Sequence, residues 1–358
     1  MPPPVSEPAV RNALSGFQDP ETGRSAVQLE QIHHVELRDG KLSVTLGLTT
    51  WAAPLWNEIG DELSALLANR FPGQAVEVRV EEHCRPAEPS GQLGLTAKSV
   101  IAVGAGKGGV GKSSIAAYLA CGLARCGAKV GLMDADVYGP SIPHLFGINE
   151  MPRLVGQDKI LPVEAAGVKI LSMGLLVPPR EAIVWRGPML HKALTQFIRD
   201  TLWGDLDYLV VDMPPGTGDV AISLSQLLDV TGAVVVCTPQ DVALLDATRA
   251  ITMFRNVQIN VIGMVENMSY FLCPTCNTRH EIFGSGGARR RAAEMEVPLL
   301  GEVPLDTQLR ILGDEGRVFA SFDHAPTRQY LEAIPHTLVS NLVRARRSRP
   351  VMPTLPIL

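Results

Sequence analysis

From Lys98 onward, short apolar runs rich in β-branched residues alternate with longer stretches whose apolar positions recur at helical spacing. The runs 100–103, 129–133, 168–171, 208–211, 233–237 and 261–265 read as buried strands, mostly bounded by Gly, Pro or Asp. The stretches 113–125, 187–203, 219–228 and 241–255 read as the helices between them. This alternation predicts an α/β domain on a mainly parallel, doubly wound sheet. The first 83 residues have another rhythm: a helix-like start at 5–17, a turn at Asp19-Pro20, an alternating strand at 41–48, a helix at 58–70 and a second alternating strand at 75–80. We therefore expect a small α+β domain over 1–83, a linker over 84–97 where the composition turns to Arg-Pro-Ala-Glu-Pro-Ser-Gly-Gln, and the α/β domain over 98–358.

Hydrophobic residues at 46% and charged residues at 19% are globular composition, and no apolar run reaches the roughly 18 to 20 residues of a membrane span. The N-terminus lacks the basic flank and apolar stretch of a secretory signal, so a cytoplasmic protein is expected. With a net charge of −5 the chain offers no general footprint for nucleic acid. The two basic runs, Arg289-Arg290-Arg291 and Arg344 to Arg349, read as a solvated helix face and a frayed C-terminal end. Of the six cysteines, Cys84, Cys121, Cys126 and Cys237 stand apart from any ligand spacing and read as small apolar residues.

The strand near 100 runs into Gly106-Lys107-Gly108-Gly109-Val110-Gly111-Lys112-Ser113-Ser114 and then a helix-forming stretch, the context that a phosphate-binding loop requires. Glycines let backbone N–H groups close around phosphate oxygens, and the helix points its positive end at the same anion. In such a loop Lys112 contacts the β and γ phosphates of ATP and the Ser113 hydroxyl ligates Mg²⁺. Two acidic segments accompany the loop. Asp134 and Asp136 follow one strand, and Asp212 ends another, followed by Pro214-Pro215-Gly216; Asp212 reads as the carboxylate on the metal side, and Gly216 as a γ-phosphate sensor.

Cys273-Pro-Thr-Cys276 has the spacing that puts two sulfurs on one metal centre. Two cysteines are half of a four-ligand site, and no second close pair exists in the chain. A two-fold dimer would bring two pairs together as a Cys₄ site. A mononuclear zinc site with His280 and a Cys273–Cys276 disulfide stay open beside it.

The string Lys-Gly-Gly-Val-Gly-Lys-Ser resembles the deviant Walker A motif of the MinD/Mrp class of ATPases. That resemblance implies that Lys107 reaches across a dimer interface to the partner's nucleotide, that Asp136 orients or deprotonates the attacking water, and that Asp134 sits in the outer shell of the Mg²⁺. Glu266-Asn267-Met-Ser resembles the adenine-contacting segment of that class, which assigns Asn267 to the base. Together with Asp-Ala-Asp-Val-Tyr-Gly-Pro-Ser, Met-Pro-Pro-Gly-Thr-Gly-Asp, Cys-Pro-Thr-Cys and Gly-Glu-Val-Pro-Leu-Asp, these motifs resemble the Mrp/ApbC family of iron–sulfur cluster carriers over nearly all of the second domain. The resemblance implies a homodimer with a bridging 4Fe–4S cluster held by Cys273 and Cys276 of each subunit. It also implies slow ATP hydrolysis coupled to delivery, a cluster donor and apoprotein clients. The net charge argues against a nucleic-acid partner, and a tail over 338–358 interrupted by Pro350, Pro353 and Pro356 argues against a membrane partner. The first domain resembles the small iron–sulfur assembly domain often fused in front, but has Ala53 where that domain commonly carries a cysteine. Scaffolding or partner docking is therefore open for residues 1–83 beside cluster handling. The same deviant loop occurs in ATPases that position division machinery or partition DNA, so a spatial organiser with a structural zinc site is the alternative reading.

Overall fold

The computed structural model describes residues 6–38, 40–137, 139–156, 159–175, 187–216, 218–273, 275–276 and 278–348. It divides into two compact units, Met1–Arg85 with Val339–Leu358, and Pro86–Leu338.

In the smaller unit a three-stranded sheet holds Lys41–Leu48 at its centre, antiparallel to Ile32–Arg38 and parallel to Ala75–Glu82. Leu42, Val44, Leu46 and Leu48 of the central strand are buried, as their alternation predicts. The helix Trp56–Arg70 packs Ile59, Leu63 and Leu67 inward. The strand Ile32–Arg38 was not foreseen, because only Ile32 of its seven residues is buried and the run shows no apolar period.

The final turns of the helix Ala325–Arg347 belong to this unit, contrary to the expectation that 98–358 forms one body with a frayed end. Arg346 stacks over the buried Trp51 at 4.2 Å from the ring centroid and donates to the Glu21 carbonyl, and Arg347 pairs with Glu62 at 3.2 Å. A planar guanidinium over an indole keeps its charge solvated on one side while covering apolar surface on the other, and this orders the basic run. Residues 349–358, with the prolines at 350, 353 and 356, lie outside the described residues.

The larger unit is built on a ten-stranded sheet. Its main path runs Arg279–His280, Val261–Leu272, Gly232–Cys237, Leu95–Ala105, Leu206–Asp212, Val130–Asp134, Val168–Ser172, Val163–Ala165. The six strands from Val261–Leu272 to Val168–Ser172 are parallel to their neighbours, and Leu299–Leu305 also joins Val261–Leu272 in parallel. The residues Leu206–Asp212 and Gly232–Cys237 are buried throughout, as a sheet covered on both faces requires. Helices Lys112–Arg125, Gly187–Asp200, Gly218–Leu227 and Asp241–Asn256 stand where the sequence places helices. The stretch read as a linker is partly structured: Pro89–Ser90 pairs with Leu95–Ala105, and the Asp229 carboxylate accepts hydrogen bonds from Ser90 Oγ and the Gly91 N–H. Among the described residues no helix is long and apolar enough to cross a membrane.

Candidate functional site

Strand order explains why the acidic and basic motifs converge. Leu206–Asp212 lies between Leu95–Ala105 and Val130–Asp134, all parallel, so the loop after Ala105, the carboxylate of Asp212 and the segment after Asp134 leave the sheet at one edge. Carboxyl ends of parallel strands are where open α/β sheets bind ligands. Gly111 caps the helix Lys112–Arg125 with φ 81°, and an added Cβ there would stand 2.1 Å from Asn267 Nδ2. Only glycine fits that left-handed, crowded position. Gly106 packs against the Asp246 carbonyl, Gly108 and Gly109 are exposed, and Val110 is buried.

Lys112 is only 7% exposed, and its Nζ lies 2.6 Å from Asp212 Oδ1, 3.6 Å from Asp136 Oδ2 and 3.2 Å from Ser113 Oγ. The lysine thus ties together three residues that the sequence assigns to the triphosphate. Asp212 is fully buried; burial raises its carboxyl above the ordinary range, while Lys112 opposes the shift. Its Oδ2 is a buried oxygen with no hydrogen-bond partner among the described residues. An orphaned carboxylate oxygen beside a hydroxyl and a lysine suits a hydrated divalent ion on the metal side of a triphosphate. Lys107 is half-buried and makes no hydrogen bond or ion pair among the described residues. Gly216, with φ 68°, donates its N–H to the Ala105 carbonyl and so lies against the base of the phosphate loop.

Asp134 is completely buried and accepts hydrogen bonds from Asp136 N, Ile142 N and Ser172 Oγ at 3.1, 3.2 and 2.9 Å. It pins both ends of the segment carrying Asp136. Burial, reinforced by the Asp212 charge, pushes its carboxyl up to about 7. Asp136 is itself 6% exposed and accepts from the Gly139 N–H.

Beside the loop lies a cleft of ≈ 320 Å³ lined by Gly111, Ser114, Asn267, Pro304, Asp306 and Arg310, among others. The Asn267 amide donates to the Val110 carbonyl at 2.9 Å, which leaves its carbonyl oxygen for a ligand in the cleft. The rest of the lining, from Pro304 to Asp314 together with His144 and Leu145, was not assigned from sequence. The available signal was its place at the end of a further parallel strand, Leu299–Leu305. Glu266, the neighbour of Asn267, accepts from Ser269 Oγ and from the Ala288 N–H, and so ties the strand Val261–Leu272 to the start of the helix Gly287–Glu294.

The same strand continues into the cysteine pair. Phe271 and Leu272 pair antiparallel with His280 and Arg279, and the Cys273 N–H donates to the Thr278 carbonyl, which closes a hairpin whose tip bears both thiols. Arg279 clamps the stem: its guanidinium sits 3.8 Å from the Tyr270 ring centroid and pairs with Glu281. Cys276 is exposed, Cys273 half-buried, and neither forms a disulfide. Among the described residues no group of three His, Cys, Asp or Glu is placed to hold a metal, so a zinc site of Cys273, Cys276 and His280 is not assembled. Cys121 and Cys237 are buried as expected, whereas Cys84 and Cys126 are exposed.

Hydrogen bonds from Thr278, and then from Cys273, hold the Cys276 thiol below its ordinary value, whereas burial pushes Cys237 up to about 12. The thiolate is the reactive form, so a lowered value keeps Cys276 reactive further toward acid pH. Thr278→Val should slow alkylation of Cys276 by iodoacetamide several-fold at pH 7, read by peptide mass spectrometry. An unchanged rate would remove the hydroxyl from this role.

Residues 96–339 match the family described as NUBPL iron-transfer P-loop NTPase, and residues 7–80 match the iron–sulfur cluster assembly protein family. An iron–sulfur cluster carrier protein of Deinococcus radiodurans is 48% identical over 338 residues, 93% of this chain and 95% of the relative. A solved nucleotide-binding protein of Archaeoglobus fulgidus in complex with ADP is 40% identical, with a TM-score of 0.56, covering 63% of this chain and 88% of that one. The MinC:MinD cell division complex of Aquifex aeolicus aligns with a TM-score of 0.50 over 72% of this chain and 98% of that one. At 19% identity that likeness is one of fold alone.

Proposed function

This chain belongs to the NUBPL iron-transfer P-loop NTPase family, and on that premise we propose that it is an ATP-binding iron–sulfur cluster carrier. Two copies hold one 4Fe–4S cluster as cargo between Cys273 and Cys276 of each and pass it to apoproteins, in step with slow ATP hydrolysis. The observation that carries this reading is the hairpin tip: two thiols, one exposed and acidified, with no third ligand gathered beside them among the described residues. Four thiolates are the ordinary ligand set of such a cluster, and a second copy supplies the other two. The free thiols suit a reducing compartment such as the cytoplasm.

The nucleotide is held by the chain's own groups. Loop amides over 106–114 and the start of the helix Lys112–Arg125 cradle the phosphates, and Lys112 moves from Asp212 and Asp136 to the β and γ oxygens. Asn267 takes the base in the adjoining cleft. Ser113 would bind Mg²⁺ directly, with Asp212 and Asp134 in its outer shell; the ion neutralises charge on the β and γ phosphates. Once Lys112 has left it, Asp136 holds the attacking water and receives its proton. Gly216, whose N–H donates to the Ala105 carbonyl at the base of the loop, would sense the γ-phosphate. Lys107, unpaired among the described residues of its own subunit, adds its charge to the partner's triphosphate when two copies close.

Asp136→Ala should keep ATP affinity within about 3-fold while lowering hydrolysis about 100-fold or more, the usual worth of a positioned base. Cluster transfer to an apo-acceptor should then lose its dependence on ATP. Equal turnover in the two proteins would take Asp136 out of the mechanism.

A further inference from the structure

The smaller unit carries a second cluster of ligating side chains. The strand Ile32–Arg38 has a bulge between Ile32 and His34, so His33 has no residue opposite it on the central strand. Bulges bend a strand and re-aim the side chain at the irregularity. At Gly47, on the central strand, an added Cβ would stand 2.3 Å from His33 Nε2 and 3.0 Å from the Cβ of His83. The missing side chain leaves a slot in which His33, from one outer strand, meets His83, just past the end of the other. His33 Nε2 lies 2.9 Å from His83 Nδ1, with ring centroids 5.2 Å apart. The other nitrogen of His33, Nδ1, is 2.6 Å from Glu81 Oε1. That nitrogen therefore carries the proton and donates to the carboxylate, which leaves Nε2 with a lone pair.

From this geometry we propose a divalent transition-metal site formed by His33 Nε2 and His83 Nδ1 and completed by water, with Glu81 as the positioning carboxylate behind His33. A carboxylate that receives the second N–H of a ligating imidazole fixes both tautomer and ring orientation. Metal–imidazole bonds of about 2.0–2.1 Å set at right angles place their nitrogens about 2.9 Å apart, whereas tetrahedral angles need about 3.4 Å. In this structure the 2.9 Å spacing is that of a hydrogen bond between the rings, which a bound ion would replace; the ions that need least change of spacing are tetragonal or octahedral, such as Ni²⁺ and Cu²⁺. Rotation of both rings would turn the two nitrogens from each other to a common point. Burial first, and then the neighbouring His33 and Arg85 side chains, hold His83 below its ordinary value, which favours the uncharged, ligating form, with its proton on Nε2 when metal is bound.

The test is calorimetric titration with Ni²⁺ of the full chain carrying Cys273→Ser and Cys276→Ser. In that background the hairpin thiols cannot compete, and the outcome is independent of the cluster-carrier reading. Saturable binding of one Ni²⁺ per chain is expected. His33→Ala and His83→Ala should each abolish it, and Glu81→Gln should weaken it about 10-fold. Gly47→Ala, which keeps both imidazoles but fills the slot, should abolish it too, with an unchanged urea midpoint in metal-free buffer showing that the fold is intact. Absence of saturable binding, binding that survives His83→Ala, or binding lost on Cys84→Ser instead would each overturn the proposal.

Discussion

Replacing Lys112 by alanine should weaken ATP binding by ~100-fold or more and destabilise the nucleotide-free protein by about 3–5 kcal/mol. The first figure follows from losing two or more charge-assisted hydrogen bonds to phosphate, each worth about 1.5–3 kcal/mol. The second follows from burial: Lys112 and Asp212 are both nearly inaccessible and 2.6 Å apart, and breaking such a pair from one side leaves an uncompensated charge. The sign with pH can be worked out. Asp134 rises to about 7 from its ordinary value of 3.8 and Asp212 is raised with it, both chiefly through burial. A carboxyl raised on folding binds its proton more tightly in the native state, so its contribution to stability falls as pH rises from about 4 to 7. Without the lysine that opposes the shift on Asp212, the fall should steepen. Urea unfolding at pH 5 and pH 8 should therefore show the greater loss for Lys112→Ala at pH 8; an equal loss at both would mean that these carboxyls do not depend on the lysine.

Anaerobic reconstitution of Cys273→Ala or Cys276→Ala with iron and sulfide should give no brown chromophore, against about four irons for every two chains in the unaltered protein. Removing one thiol per subunit from a two-fold site removes two of four ligands at once, so the expected effect is loss rather than attenuation. Iron retained by either variant would mean that the ligands lie elsewhere.

The six core strands were legible because they are short apolar runs mostly bounded by Gly, Pro or Asp, and burial on both faces leaves little polar alternation to confuse them. Leu299–Leu305 was missed because Gly301 and Pro304 interrupt its apolar pattern, yet its end lines the cleft beside the phosphate loop. The helix Ala325–Arg347 was hidden by Pro335, which is accommodated where Gly122 of the helix Lys112–Arg125 leaves room for its ring. Phosphate-loop residues were readable because glycine spacing reports backbone geometry directly. The contact of Lys112 with Asp212 was not, since it depends on which strands become neighbours in the sheet. The His33–His83 pair was invisible for the same reason: a bulge and a glycine on a third strand bring the two rings together.

Native mass spectrometry of the reconstituted protein, kept anaerobic with ATP and Mg²⁺, asks most directly whether the hairpin thiols of two subunits share one inorganic centre. The predicted species is two chains with a single 4Fe–4S cluster, reverting to single chains when the cluster is stripped by chelator. Single chains that keep their metal, or one zinc ion per chain that iron and sulfide do not displace, would contradict the account.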